Sequence, residues 1–235
     1  MNKRGVLYGV GVGPGDPELL TLKAYRILEQ CPVIAAPGRI PEETVAYRIA
    51  AAACPFLEEK ERAGIEMPMT KDREVLERSH REAEERVAAL LEEGRDVAFL
   101  TLGDPCVYST YFYLHRRLQK RGYEARIVSG IPSFCAAAAR LDLTLGEKAE
   151  QIHVIPASYQ IREAMKLPGT KILMKAGRQA TAVREILKEE EARGARIIGV
   201  ENCGMPGERF FRGAEELRED AGYYTLIFIK EGEEQ

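Results

Sequence analysis

Residues 6–18 read Val6-Leu7-Tyr8-Gly9-Val10-Gly11-Val12-Gly13-Pro14-Gly15-Asp16-Pro17-Glu18. The apolar, glycine-spaced run over 6–12 is a strand, and Gly13-Pro14-Gly15 is the turn that stops it. Asp16 is a natural helix N-cap, and Pro17 at the first helical position gives up an N–H that would be unpaired there in any case. The helix that follows is expected to bury Leu19, Leu22, Ala24 and Ile27. Strand, glycine turn and helix in that order open an α/β fold with parallel strands.

Outward from this unit the alternation continues. A short strand over 33–36 ends at Pro37-Gly38, and a second proline-started helix runs over 41–53. A strand is expected near 65–67. Val75, Leu76, Ala83, Val87, Leu90 and Leu91 recur at near-helical spacing among charges, predicting a helix over 71–93 that Gly94 terminates. Residues 97–102 are an apolar strand running into Gly103-Asp104-Pro105. A helix over 109–121 leads to a strand at 125–128 and the turn Gly130-Ile131-Pro132-Ser133. Beyond it, strands at 151–156, 171–175, 196–200, 208–212 and 223–229 are interrupted by only two clear helices, 160–166 and 179–193. That pattern predicts a mixed α+β layer, hence two domains, 1–131 and 132–235.

Composition narrows the function. The 235 residues carry 34 basic and 37 acidic side chains, a net charge of −3, which gives no support to a nucleic-acid reader. No run approaches the roughly 18 apolar residues of a membrane span. The first residues lead straight into a strand without a signal-peptide pattern, so a cytoplasmic protein is expected. Five cysteines at 31, 54, 106, 135 and 203 form no CxxC, and histidines stand only at 80, 115 and 153. A zinc or disulfide framework is disfavoured, and the cysteines read as small apolar residues.

Three strand ends could carry chemistry. The first glycine loop does not fit a dinucleotide fingerprint: GxGxxG begun at Gly9 meets Pro14 in sixth place, and begun at Gly11 meets Asp16. The second strand ends in Pro37-Gly38-Arg39 with no acid for a ribose. The second site, Thr101-Leu102-Gly103-Asp104-Pro105-Cys106-Val107-Tyr108, opens a strand end where open α/β sheets bind ligands. Asp104 could equally cap the next helix. The third, Ser129-Gly130-Ile131-Pro132-Ser133-Phe134, leads into an alanine-rich helix.

Taken in order, these motifs resemble the tetrapyrrole methylase family, the class III methyltransferases. The family has a first-strand GxGPG loop (here Gly11 to Gly15), a GDP motif at the fourth strand (Gly103-Asp104-Pro105) and a glycine turn with a small hydroxyl residue after the fifth. Two longer stretches look like the precorrin-2 and cobalt-factor II C-20 methyltransferases: Gly103 through Leu114, and Glu201-Asn202-Cys203-Gly204-Met205-Pro206-Gly207-Glu208-Arg209. The fifth-strand turn departs from that group, with Ser129 for a proline and Pro132 for a serine.

The resemblance implies two α/β domains, the first an open, mainly parallel five-stranded sheet and the second a mixed α+β sheet, with the active site in the cleft between them. It also implies a homodimer and S-adenosylmethionine as methyl donor. Carried over, donor contacts fall on Pro14, Leu102, Gly103, Asp104, Val107, Pro132, Ser133, Lys175, Cys203 and Gly204. Gly13 and Gly15 would face the tetrapyrrole, whose carboxylates call for basic residues, with Arg39 and Arg209 as candidates. Methyl transfer to an electron-rich ring carbon depends chiefly on positioning and exclusion of water. One proton must then leave the carbon. Tyr108 and Glu201 are candidate bases, against a reading in which Tyr108 packs on a ligand and Glu201 pairs with Arg209. No protein-held metal is implied. Other ring methylases, a diphthine synthase and a non-catalytic tetrapyrrole-binding protein are the competing readings.

Overall fold

The computed structural model describes residues 3–68, 70, 72–157 and 161–232. Residues 71 and 160, where two helices were expected to begin, lie outside these. The chain divides into two compact units, Met1–Pro132 and Ser133–Gln235.

The first unit is a parallel sheet of five strands: β1 (Leu7–Gly11), β2 (Val33–Pro37), β3 (Glu61–Ile65), β4 (Val97–Thr101) and β5 (Ala125–Val128), in the order β3-β2-β4-β1-β5. Strand alternation divides the core. Leu7, Val33, Ala35, Val97 and Phe99 face α3 (Arg73–Glu92) and α4 (Tyr111–Lys120). Val10, Ile34, Ala98, Leu100 and Val128 face α1 (Leu22–Gln30) and α2 (Val45–Ala53). Buried on both sides, β4 contains no exposed residue. Gly9 is small for a packing reason: a Cβ there would stand 2.1 Å from the ring of Tyr111, a fully buried side chain of α4.

Two helix starts differ from expectation in the same way. Pro17–Leu19 is a single 3-10 turn, with Asp16 accepting the Glu18 N–H at 2.9 Å. Leu20 is extended, and α1 begins only at Leu22, where the Thr21 hydroxyl accepts the Ala24 N–H at 3.2 Å. Its buried residues are Ala24 and Leu28, whereas Leu22 is 75% exposed. Likewise Pro41–Glu43 is a 3-10 turn, and α2 starts after Thr44, which caps Tyr47 N. In both places the proline opens a tight turn and a threonine caps the helix. The third strand lies earlier than expected, because Glu61 and Arg62 on this sheet edge are exposed and hid its pattern. Asp72 caps α3 by accepting from Glu74 N and Val75 N, and Gly94, at φ +76°, follows its end.

The second unit contains α5 (Ser133–Arg140), β6 (Ile152–Pro156), α6 (Ile161–Ala164), β7 (Thr170–Met174), α7 (Ala180–Ala192), β8 (Arg196–Glu201), β9 (Arg209–Arg212) and β10 (Thr225–Lys230). The sheet order is β6-β7-β10-β8-β9; β6 and β7 are parallel and the other pairs antiparallel. Leu173, Val183, Leu187, Ile197, Phe211 and Ile227 form its core. Because β10 runs antiparallel to both β7 and β8, those two strands end on the same sheet edge, where β10 begins.

Candidate functional site

In the first unit the loops after β1, β4 and β5 are tied together through backbone. Val12 N donates to the Thr101 carbonyl at 3.0 Å, and Gly13 and Gly103 exchange N–H···O bonds of 3.3 and 2.8 Å. A Cβ at Gly11 would lie 2.5 Å from Gly130 N and 2.7 Å from the Gly103 carbonyl oxygen. One at Gly130 would lie 2.1 Å from that same oxygen. The glycines are there so that three strand ends can touch, which explains why their spacing fails the dinucleotide pattern.

Asp104 locks this cluster. Its carboxylate is buried; Oδ2 accepts the Gly130 N–H at 2.9 Å and Oδ1 the Cys106 N–H at 2.7 Å. One side chain thus spans the loops after β4 and β5 with charge-assisted bonds. Thr21 adds a bond from its hydroxyl to the Ser129 carbonyl at 3.4 Å. Around the cluster Gly13, Pro14 and Gly15 are buried, and Leu102, Val107 and Pro132 are half-buried. Tyr108 is half-exposed and held at φ +49°, a conformation that costs about 1–3 kcal/mol in a non-glycine residue. Arg39 stands exposed beyond the end of β2, paired with Glu66 at 2.5 Å. Among the described residues, Thr101 has a buried hydroxyl without a hydrogen-bond partner.

The corresponding edge of the second unit is built from side chains. Glu201, at the end of β8 and 2% exposed, accepts from Arg209 Nε at 3.2 Å and Arg218 Nη2 at 2.8 Å. Arg209 also donates to the Glu216 carbonyl and lies over the Phe211 ring. The pairing of Glu201 with Arg209 is therefore present, and Arg218 joins it. Both carboxylate oxygens of Glu201 are engaged. Asn202 and Gly204 follow at φ +52° and +70°. Glu208 holds their loop, accepting Gly204 N–H at 2.9 Å and Arg140 Nη2 at 2.5 Å. The Arg140 guanidinium holds the Glu208 carboxyl below the usual carboxylate range against its partial burial, with help from the Gly204 N–H and the Cys203 thiol. Lys175, after β7, is at φ +61° with its ammonium 5.5 Å from the Tyr223 ring. Ser133 opens α5 half-buried.

The motifs therefore come together in two sets, Gly11–Gly15, 101–108 and Gly130 in one unit, and Glu201 through Arg209 in the other. Sequence reasoning missed Thr101, Glu208, Arg140 and Arg218. A hydroxyl closing an otherwise apolar strand was a usable signal for the first; partners up to 68 residues apart gave none for the ion pairs. Among the described residues no three His, Cys, Asp or Glu side chains gather to hold a metal, and no helix is long and apolar enough to cross a membrane.

Comparison with known proteins places these features. Residues 6–217 match the family profile of the tetrapyrrole (corrin/porphyrin) methylases. The chain is 37% identical to the probable cobalt-precorrin-2 C(20)-methyltransferase of Methanocaldococcus jannaschii, over 95% of each chain. It is 32% identical to the cobalamin biosynthesis protein CobIJ of Mycobacterium tuberculosis over 99% of its own length, but spans only 47%, about half, of that relative. A uroporphyrin-III C-methyltransferase from Thermus thermophilus, complexed with S-adenosylhomocysteine, superposes with a TM-score of 0.71 at 26% identity, covering 97% of this chain and 98% of that one. With the loop cluster and the motif order, these likenesses lead to one conclusion: the chain belongs to the tetrapyrrole methylase family.

Proposed function

We propose that this protein is an S-adenosylmethionine-dependent methyltransferase that methylates C-20 of precorrin-2, or of its cobalt-loaded counterpart, in cobalamin biosynthesis. The observation that carries this reading is the likeness over 95% of both chains to a relative named for that reaction. It is joined to a loop cluster whose own bonding leaves Leu102, Val107 and Pro132 half-buried at a sheet edge. Apolar faces beside backbone polar groups suit a nucleoside. Pro14, Leu102, Gly103, Asp104, Val107, Pro132, Ser133, Lys175, Cys203 and Gly204 would hold the donor, Asp104 through its backbone because each carboxylate oxygen already takes a bond.

The donor supplies a methyl group activated on a sulfonium. The protein's part is to align that methyl with the ring carbon and to keep water away. Gly13, Gly15 and Arg39 would meet the tetrapyrrole. Of the two candidate bases, Tyr108 suits better by its exposure, lying half-exposed on a strained loop, whereas Glu201 is buried with its carboxylate oxygens held by Arg209 and Arg218. The active form would be a homodimer in the cytoplasm.

The test is incubation of the purified chain with S-adenosylmethionine and either metal-free or cobalt-loaded precorrin-2, with mass spectrometry and NMR of the product. One methyl at C-20 is expected. Methylation at another position, or none on either substrate, would overturn the reading.

A further inference from the structure

Thr101 closes β4 after the apolar run Val97-Ala98-Phe99-Leu100. It is 8% exposed, and its hydroxyl has no hydrogen-bond partner among the described residues. Its carbonyl is used, by Val12 N. A buried hydroxyl left unpaired is a cost that valine, of the same shape, would not carry, so its presence calls for a partner that the folded chain does not supply.

Where that partner would sit follows from the pleat. Thr101 shares a face with Val97 and Phe99, the face on which α3 and α4 pack. Its register partner on β1 is Gly11, which places no side chain beside it. Residues 102–110 lead from this strand end to α4, on the same face. Several polar groups along and beside that segment are already engaged: Asp104 with Gly130 and Cys106, Ser109 with Tyr111 N, and the Tyr111 hydroxyl with His115 Nδ1 and the Arg126 carbonyl.

We propose that the Thr101 hydroxyl is a binding contact for the methyl donor, satisfied only when the donor is present. This rests on the methyltransferase reading above. The donor is preferred to the tetrapyrrole because Thr101 leads directly into Leu102, Gly103, Asp104 and Val107, the residues proposed to hold it.

Calorimetric titration of S-adenosylhomocysteine into wild type, Thr101→Val and Thr101→Ser, with thermal melts of each in its absence and presence, tests this. Thr101→Val should bind about three- to tenfold more weakly, the loss of one ordinary hydrogen bond. Its ligand-free melting temperature should be unchanged or higher, because no internal bond is lost, and its ligand-induced rise in melting temperature should shrink. Thr101→Ser should keep wild-type affinity. Unchanged affinity in Thr101→Val would overturn the proposal, the hydroxyl then serving a water or the tetrapyrrole. A lowered ligand-free melting temperature would overturn it as well, by revealing a partner within the fold. Failure of wild type itself to bind S-adenosylhomocysteine would remove the donor reading, a result visible before any variant is compared.

Discussion

The two sheet edges solve one problem by different means. In the first unit, loops converge because glycine lets their backbones touch, and one aspartate bonds two of them. In the second, buried or half-buried carboxylates gather arginines: Glu201 takes Arg209 and Arg218, and Glu208 takes Arg140. Backbone contact tolerates no added atom, since the neighbouring atoms are main chain. An ion pair can relax, and part of what it loses is recovered from water, because Arg209 and Arg218 are about one-third and one-half exposed. The first edge should therefore fail sharply on small changes and the second should yield gradually.

The largest effect should come from Gly130→Ala. The new methyl would stand 2.1 Å from the Gly103 carbonyl oxygen and 2.9 Å from Gly11 C, all backbone. A cost of ~3 kcal/mol in denaturant unfolding is expected, at the upper end of overpacking effects. Methyl transfer should fall about 100-fold, as misplacement by an ångström can do. Gly222→Ala, where a methyl meets nothing within 4 Å, is the control and should change neither. Equal behaviour of the two variants would remove the claim that glycine serves contact at the first edge.

Glu201→Gln should come next. Removing the charge takes the Glu201 anion from both guanidiniums, but both keep access to water and Arg218 keeps Asp220, and ~2 kcal/mol of destabilisation is expected rather than the larger cost of a fully buried pair. A double-mutant cycle with Arg218→Ala separates the pair from the fold. If Glu201→Gln cost more than Gly130→Ala, the ranking of the two edges would be reversed.

Glu208 gives the second edge a pH signature. Its carboxyl is held below the usual range chiefly by Arg140, so the folded state binds its proton less readily than the unfolded chain. Its contribution to stability is whole above the ordinary glutamate value and is lost as pH falls through the lowered one. The stability gap between wild type and Glu208→Gln should thus be open at neutral pH and close in acid, as urea unfolding at several pH values would register. A gap that did not narrow in acid would show that the amide disturbs the loop by shape, not charge.

The difference between the edges also governs what the sequence disclosed. Glycine turns at 11–15, 103 and 130 recur after strand-like runs, so the parallel sheet and the first loop cluster were readable from residue order. The mixed second sheet followed from strands that crowd together with few helices among them. Arg140 with Glu208 and Arg218 with Glu201 were not readable, because ion pairing leaves no local periodicity and joins residues that only the fold brings near. Thr101 was passed over because it looked like one more β-branched strand residue. Its missing partner is visible only once its neighbours are placed.

The smallest effect concerns the helix starts, where local chemistry misled. Asp16-Pro17 is a proper start signal, yet the turn it opens ends at Leu19. Thr21 performs two functions: its hydroxyl accepts the Ala24 N–H at the start of α1 and donates to the Ser129 carbonyl in the loop after β5. The Asp16 side chain accepts from Glu18 N, beside an exposed surface, and its carbonyl from Leu19 N, both within the one turn. Thr21→Ala should then cost ~1 kcal/mol, the usual loss of an N-cap, and Asp16→Ala clearly less, since no α-helix depends on it. Thermal unfolding of the two variants side by side decides the matter. A larger loss from Asp16→Ala would mean that the proline turn, not the threonine, nucleates α1, and that the first edge owes its order to that turn as much as to its glycines.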